Sequence, residues 1–208
     1  MRAVIIAGGS MRDYAYIRRF IEPGDYIIAA DSGYRHAMAL GVEPRVLLGD
    51  FDSLDTLPEG VETIRHPAKK NQTDSELAMN WAKEQGASHI LLLGAIGTRM
   101  DHTLSNILLL TQLLDRGVTG EIIDEHNHIW LTDGALTIGG EAGQFLSLLP
   151  LETCEGVHIR NAAYPLENAT LQVGHSLGVS NAITASPVEI SLRKGRLLVM
   201  SALTMLMA

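Results

Sequence analysis

Residues 26–53 read YIIAADSGYRHAMALGVEPRVLLGDFDS. Two short β-rich apolar runs, Tyr26–Ala30 and Val46–Leu48, are separated by a stretch long enough for a helix. Each run leads directly into acid: Asp31 follows the first, and Asp50 and Asp52 follow the second. Strands alternating with helical stretches predict a parallel sheet joined by crossover helices.

The same pattern extends on both sides. Ala3–Ala7, His89–Leu93 and Glu121–Ile123 supply further runs. Thr73-Asp74-Ser75-Glu76 is a capping-box sequence, in which Thr73 accepts from a free backbone N–H and Glu76 reaches back. Leu77 and Trp81 follow at helical spacing, and Gly86 is a terminator. A second helix is expected over Asp101–Leu114, ending in Asp115-Arg116-Gly117. Residues 1–125 are therefore expected to form an α/β domain with a doubly wound, mostly parallel sheet. Beyond them the texture changes to short strands broken by Thr132-Asp133-Gly134, Ile138-Gly139-Gly140 and Lys194-Gly195. Val188, Ile190 and Leu192 alternate with Glu189, Ser191 and Arg193, as in a half-buried strand. Residues 126–208 are expected to form an all-β sandwich.

At 208 residues, 46% apolar and 19% charged, the chain has the material for a well-buried core without disulfides or a structural metal. Its formal charge is −8 and its basic residues form no run, which argues against nucleic acid as a partner. Polyphosphates remain open, because a divalent cation can sit between carboxylates and phosphate. The apolar run at Ala3–Ala7 is too short for a secretory leader, and no stretch approaches the length of a membrane helix. Cys154, the single cysteine, fits a reducing compartment and is expected to be a buried structural thiol. The cytoplasm is the expected location, with no membrane association.

Ligands of open parallel sheets bind at the carboxyl ends of the strands. Asp31, Asp50, Asp52 and, after a short loop, Asp101 all follow strands, so they are expected to converge. Like charges gathered in a cleft raise one another's pKa values, and a hard cation relieves the repulsion. In an extended segment Asp50 and Asp52 project to the same side and could grip one magnesium ion; the competing reading of Gly49–Ser53 is a polar strand-to-helix turn. Asp74, in the first turn of its helix, is also explained by the macrodipole alone. Lys69 and Lys70 suit phosphate contacts or plain solvation. Gly94-Ala-Ile-Gly97-Thr-Arg99-Met-Asp101-His102 joins a strand to a helix N-terminus, where flexible glycines, free N–H groups and the Arg99 fork suit an anion. Gly8-Gly9-Ser10 is a weaker signal of the same kind. No lysine-bearing Walker loop is present, and the histidines do not fall at zinc spacing.

Taken in order, Asp31-Ser32-Gly33, Gly49-Asp50-Phe51-Asp52-Ser53, Thr73-Asp74 with Glu76, Gly94 and Gly97 with Arg99, Asp101-His102 and Ser180-Asn181 resemble the motifs of the thiamine pyrophosphokinase family along nearly the whole chain. The resemblance implies an α/β domain that binds ATP and magnesium, followed by a β-sandwich that binds thiamine and dimerises. It further implies a homodimer with sites at the subunit interface. The implied reaction is pyrophosphoryl transfer from ATP to the thiamine hydroxyl, giving thiamine diphosphate and AMP. By the same resemblance Asp50, Asp52 and Asp74 are magnesium and catalytic carboxylates, with Arg99 and Asp101 also in the catalytic set. Asp31, Ser32, Lys70, Gly97 and Arg99 hold ATP or its metal, and Ser180 with Asn181 lies at the thiamine pocket. Two other readings stand beside it. One is a haloacid-dehalogenase-like phosphatase with Asp50-Phe51-Asp52 as its nucleophile motif, and the other is a non-catalytic nucleotide-sensing module.

Overall fold

The computed structural model describes residues 1–51, 60–67 and 71–205. The chain forms two compact units, Met1–Glu125 and His126–Ala208.

In the first unit the elements are β1 (Arg2–Ile6), α1 (Tyr14–Arg18), β2 (Tyr26–Ala30), α2 (Gly33–Ala39), β3 (Val46–Gly49), β4 (Glu62–Arg65), α3 (Asp74–Glu84), β5 (His89–Leu93), α4 (Met100–Leu114) and β6 (Thr119–Ile123). The strands lie in the order β6-β5-β1-β2-β3-β4, and every pairing is parallel. Consecutive strand residues face opposite sides of a sheet. Leu47 packs with Tyr34 of α2, whereas Leu48 lines a groove with Leu77 and Trp81 of α3, so helices cover both faces. That double cover is why β1, β2, β3 and β5 read as unbroken apolar runs instead of alternating ones. Val4, Ile5, Leu47, Leu91 and Leu92 have no exposed surface.

The expected strands at Tyr26–Ala30 and His89–Leu93 match β2 and β5 to the residue. β1, β3 and α4 differ from expectation by one residue at one or both ends, and β4 and β6 differ more. β4 has the sequence Glu-Thr-Ile-Arg, an edge strand bonded on one side only, so it needs little apolar content and gives no sequence signal. β6 begins two residues earlier than its apolar run, at Thr119-Gly120. A Cβ on Gly120 would lie 2.6 Å from Leu113 Cδ1 and 2.9 Å from Leu110 Cδ2, so the glycine lets α4 sit close on the sheet.

The second unit contains β7 (Asn127–Thr132), β8 (Ala135–Ile138), β9 (Gln144–Pro150), β10 (Cys154–Arg160), β11 (Leu166–Leu171), β12 (Asn181–Ala182), β13 (Val188–Ser191) and β14 (Leu197–Met205). One antiparallel sheet runs β12-β9-β14-β7 and the other β11-β10-β13-β8. Leu146, Leu148, Leu197 and Val199 of the first sheet share one buried cluster with Val157, Ile159, Val188 and Ile190 of the second, which is the core of a sandwich. No helix of the described residues is long and apolar enough to cross a membrane.

Cys154 lies in this core with no exposed surface, and its Sγ donates to the carbonyls of Arg196 at 3.3 Å and Glu152 at 3.4 Å. Burial pushes its pKa up, against formation of the reactive thiolate. A water-soluble thiol reagent is therefore expected to react at least about 100-fold more slowly with the native chain than with the urea-unfolded one. Equal rates would place the thiol outside the core.

Candidate active site

The strand order creates a switch point. From β1 the chain steps outward through β2, β3 and β4, then returns to the other side of β1 as β5. The switch point therefore falls between β1 and β5, and its carboxyl edge is the place where doubly wound sheets bind ligands. A cleft of about 440 Å³ opens there, lined by Gly8, Gly9 and Ser10 after β1, Asp31 and Ser32 after β2, Thr73 and Asp74 at the start of α3, and Ala95, Gly97, Thr98, Arg99, His102 and Thr103 after β5.

Its floor is two glycine-bearing loops in backbone contact. The Gly9 N–H donates to the Gly94 carbonyl at 2.7 Å, and the Ser10 N–H to the Ile96 carbonyl at 2.8 Å. A Cβ on Gly9 would stand 2.3 Å from the Gly94 oxygen and 2.5 Å from that of Ile96, so no side chain fits. From α4, the Asn106 amide donates to the Ala95 carbonyl at 2.7 Å, and the Thr103 hydroxyl both accepts from Gly97 N–H and donates to its carbonyl. Thr103 and Asn106 are buried polar residues on the same helix stripe as Leu110 and Leu113. Sequence reading missed both; the available signal was polar residues on an otherwise apolar helical stripe.

The acidic residues come to this edge by different routes. Asp31 adopts a left-handed backbone with φ 47, and its N–H donates to the Leu48 carbonyl at 2.7 Å. A non-glycine residue held there is strained, as is common in functional sites. Gly49 packs against it, since a Cβ on Gly49 would be 3.1 Å from the Asp31 Cβ, and Asp50 follows directly. Asp31 and Asp74 line the cleft, while Asp50 lies in the turn beside Asp31. Asp52 and Lys70 fall outside the described residues, as does Ser53. Phe51, which follows Asp50, is left-handed at φ 66, so the chain is not extended at this residue, contrary to expectation. Its ring is buried against Ala29, Leu47, Tyr34 and Val61, with the Arg65 guanidinium 5.4 Å above it. Burial of the aromatic anchors the acidic turn in this conformation.

Arg99 and Asp101 form a two-pronged pair across the N-terminus of α4, with contacts of 3.2 and 2.7 Å. Arg99 lines the cleft, and Asp101 pairs with it from the first turn of α4. The hydrogen bonds from Arg99 hold the Asp101 carboxyl below the usual carboxylate range, and Asp101 in turn raises Arg99. Because the folded value is depressed, the pair is intact above the ordinary carboxylate pKa and opens only as pH falls through the lowered one. Ser32 precedes α2 without capping it, and Gly97 lies on the cleft floor.

The Thr73 hydroxyl caps α3 by accepting from Glu76 N–H at 3.2 Å, as the capping-box sequence predicts. The reciprocal half differs: the Glu76 carboxylate accepts from the side-chain amides of Gln72 at 3.1 Å and Gln112 at 3.3 Å. Of the two, the Gln112 amide also ties α3 to α4.

Ser180 and Asn181 belong to the second unit. Ser180 is left-handed at φ 59 and exposed, and its N–H donates to Ser147 Oγ. Asn181 is 4% exposed and bridges the backbone of Tyr164, accepting from its N–H at 2.9 Å and donating to its carbonyl at 2.7 Å. Its amide therefore fixes the chain at Tyr164, an aromatic residue 71% exposed.

Among the described residues no three His, Cys, Asp or Glu side chains form a ready-made metal cage. Oxygen-only carboxylate donors bordering an open cleft instead suit a magnesium ion, which keeps most of its waters and takes one or two protein carboxylates together with phosphate.

Comparison with known proteins agrees along the chain. The model of "Thiamin pyrophosphokinase, catalytic domain" matches residues 17–120, and that of "Thiamin pyrophosphokinase, vitamin B1 binding domain" matches residues 136–197. The chain is 29% identical over 205 residues to a thiamine pyrophosphokinase of Bacillus subtilis, covering 93% of this chain and 95% of that protein. A crystal structure of thiamine pyrophosphokinase from Bacillus subtilis superposes with a TM-score of 0.89 at 26% identity, over 99% of this chain and 100% of the other. One from Geobacillus thermodenitrificans gives 0.85 at 28% identity, covering 98% of each chain.

Proposed function

This chain belongs to the thiamin pyrophosphokinase family, and from that premise we propose that it transfers a pyrophosphoryl group from ATP to the hydroxyl of thiamine, releasing AMP. The observation that carries the reading is the switch-point cleft, where glycine loops stripped of side chains meet Asp31, Asp74 and Arg99. The N-terminus of α4 and the Arg99 guanidinium suit phosphate oxygens, and carboxylates suit the cation that accompanies them.

In this reading Asp50, Asp52 and Asp74 would hold magnesium with Asp31 in support, and the bound ion would supply positive charge beside the transferred phosphates. Arg99 leaves its pairing with Asp101 to bind phosphate, so that Asp101 orients the guanidinium before substrate arrives. Ser32, Lys70 and Gly97 complete the ATP side. The thiamine oxygen attacks the β-phosphorus, the bond from that phosphorus to the bridging α–β oxygen breaks, AMP departs, and a carboxylate of the cleft accepts the hydroxyl proton. Ser180 serves the thiamine side, and Asn181 serves it through the backbone it holds. The enzyme works in the cytoplasm as a homodimer with its sites at the subunit interface, residues 1–125 carrying catalysis and residues 126–208 thiamine binding and dimerisation. The phosphatase reading is not supported: Asp50-Phe51 follows β3, the third strand, whereas the phosphatase motif ends the first.

Incubation with ATP, magnesium and thiamine is expected to yield thiamine diphosphate and AMP in equal amounts, with AMP absent when thiamine is omitted. Release of inorganic phosphate from simple monoesters, without AMP, would overturn the reading.

A further inference from the structure

The glycine-loop floor is secured on one side by Thr103 and Asn106 of α4. On the other side it is secured by His36 of α2, a residue that nothing in the proposed reaction uses. His36 Nε2 lies 2.9 Å from the Gly9 carbonyl oxygen, and its Nδ1 lies 2.9 Å from the Tyr14 hydroxyl. A carbonyl oxygen only accepts, so Nε2 carries the hydrogen. In the neutral ring Nδ1 is then the acceptor, and the Tyr14 hydroxyl donates to it. The partners thus select one tautomer of a neutral imidazole. Both rings are half-buried, with centroids 5.8 Å apart.

The peptide that His36 holds is a consequential one. In a trans peptide the carbonyl and the following N–H point in opposite directions. The Gly9 carbonyl faces His36, and the N–H of the same peptide, that of Ser10, donates to the Ile96 carbonyl. This single plane is therefore fixed at both edges, from α2 on one side and from the β5 loop on the other. Gly9 has no side chain to anchor it, and Gly9 and Ser10 both line the cleft.

We infer that His36, oriented by Tyr14, is a positioning residue for the nucleotide, setting the Gly9–Ser10 peptide that forms one wall of its cleft. The inference rests on the ATP-binding reading proposed above. Removing the histidine donor frees the wall before substrate binds, so nucleotide affinity falls while the chemical step on bound substrate is spared.

The test compares His36→Phe, which keeps a planar ring without donors, His36→Gln, whose amide N–H reaches the place of Nε2, and Tyr14→Phe. Each is assayed for ATP binding by titration calorimetry, for steady-state constants with both substrates, and for thermal stability. His36→Phe is expected to weaken ATP binding and raise its KM about tenfold, with kcat within about twofold and the thiamine KM unchanged. His36→Gln is expected to recover most of the loss, and Tyr14→Phe to fall between His36→Phe and the natural chain. Unchanged ATP affinity in His36→Phe would overturn the inference, as would equal rises in both KM values that track a loss of stability, or a His36→Gln no better than His36→Phe. Should His36→Phe not fold, Tyr14→Phe removes one oxygen and retains its ring, and unaltered ATP affinity in that variant would also count against the network. A natural chain that binds ATP but forms no thiamine-dependent AMP would defeat the proposed activity, while the binding measurements still decide the role of His36.

Discussion

Asp74→Asn is expected to lower thiamine-dependent AMP formation by about a thousandfold, the scale on which removal of one preorganised charge acts, while the chain stays folded. Asp74 is the first residue of α3 and lines the cleft with Asp31 and Arg99. The substitution keeps the shape of the side chain and removes its charge. Two explanations of the carboxylate then separate by magnitude. As a partner of the helix macrodipole it stabilises the chain by about 0.3–1 kcal/mol. Thr73 still caps the helix through Glu76 N–H, so the melting temperature should fall by no more than roughly 4 °C. As a catalytic or magnesium-holding group, its loss appears as about 4 kcal/mol of transition-state stabilisation. Activity and thermal unfolding measured on one preparation distinguish them. Full turnover would leave Asp74 as a helix-end charge and remove it from the reaction.

Physical reasons separate what the sequence made legible from what it hid. β2 and β5 were readable because both faces are covered, so each strand is apolar throughout and bounded by charge or glycine. β4 was hidden because an edge strand needs no such run, and the start of β6 because Gly120 reads as a turn when it is a packing contact. In the site, the strand-end position of Asp31 was visible in the order of residues alone. Thr103 and Asn106 were not, since recognising them requires knowing which stripe of α4 faces the Ala95–Gly97 backbone. The left-handed turn at Phe51 was likewise hidden: burial of the ring among Ala29, Leu47 and Tyr34 overrides the extended geometry that alternate aspartates suggest. His36 gave no signal, because its partner at the cleft is a backbone carbonyl.

Gly94→Ala is expected to destabilise the chain by about 3 kcal/mol and to weaken ATP binding with it. Gly94 has φ +61, where a side chain costs about 1–2 kcal/mol. An added Cβ would also lie 2.3 Å from the Ala7 carbonyl oxygen and 3.2 Å from its carbon. Both are backbone atoms at the end of β1, a central strand paired with β2 and β5, and such a contact cannot be relieved by turning a side chain. Relief must instead come from parting the β1 and β5 loops, which pulls the Gly94 carbonyl away from Gly9 N–H and opens the cleft floor. Gly117→Ala is the matched control: its φ is +67, nearly the same, but nothing lies within 4 Å of its added Cβ. Urea unfolding of both variants should therefore show a loss of about 1 kcal/mol for Gly117→Ala, from backbone strain alone, and a markedly larger one for Gly94→Ala. Equal losses would mean that the two loops yield to a methyl group at no cost, and a floor that yields so readily could not hold the cleft in one shape for a phosphate ligand.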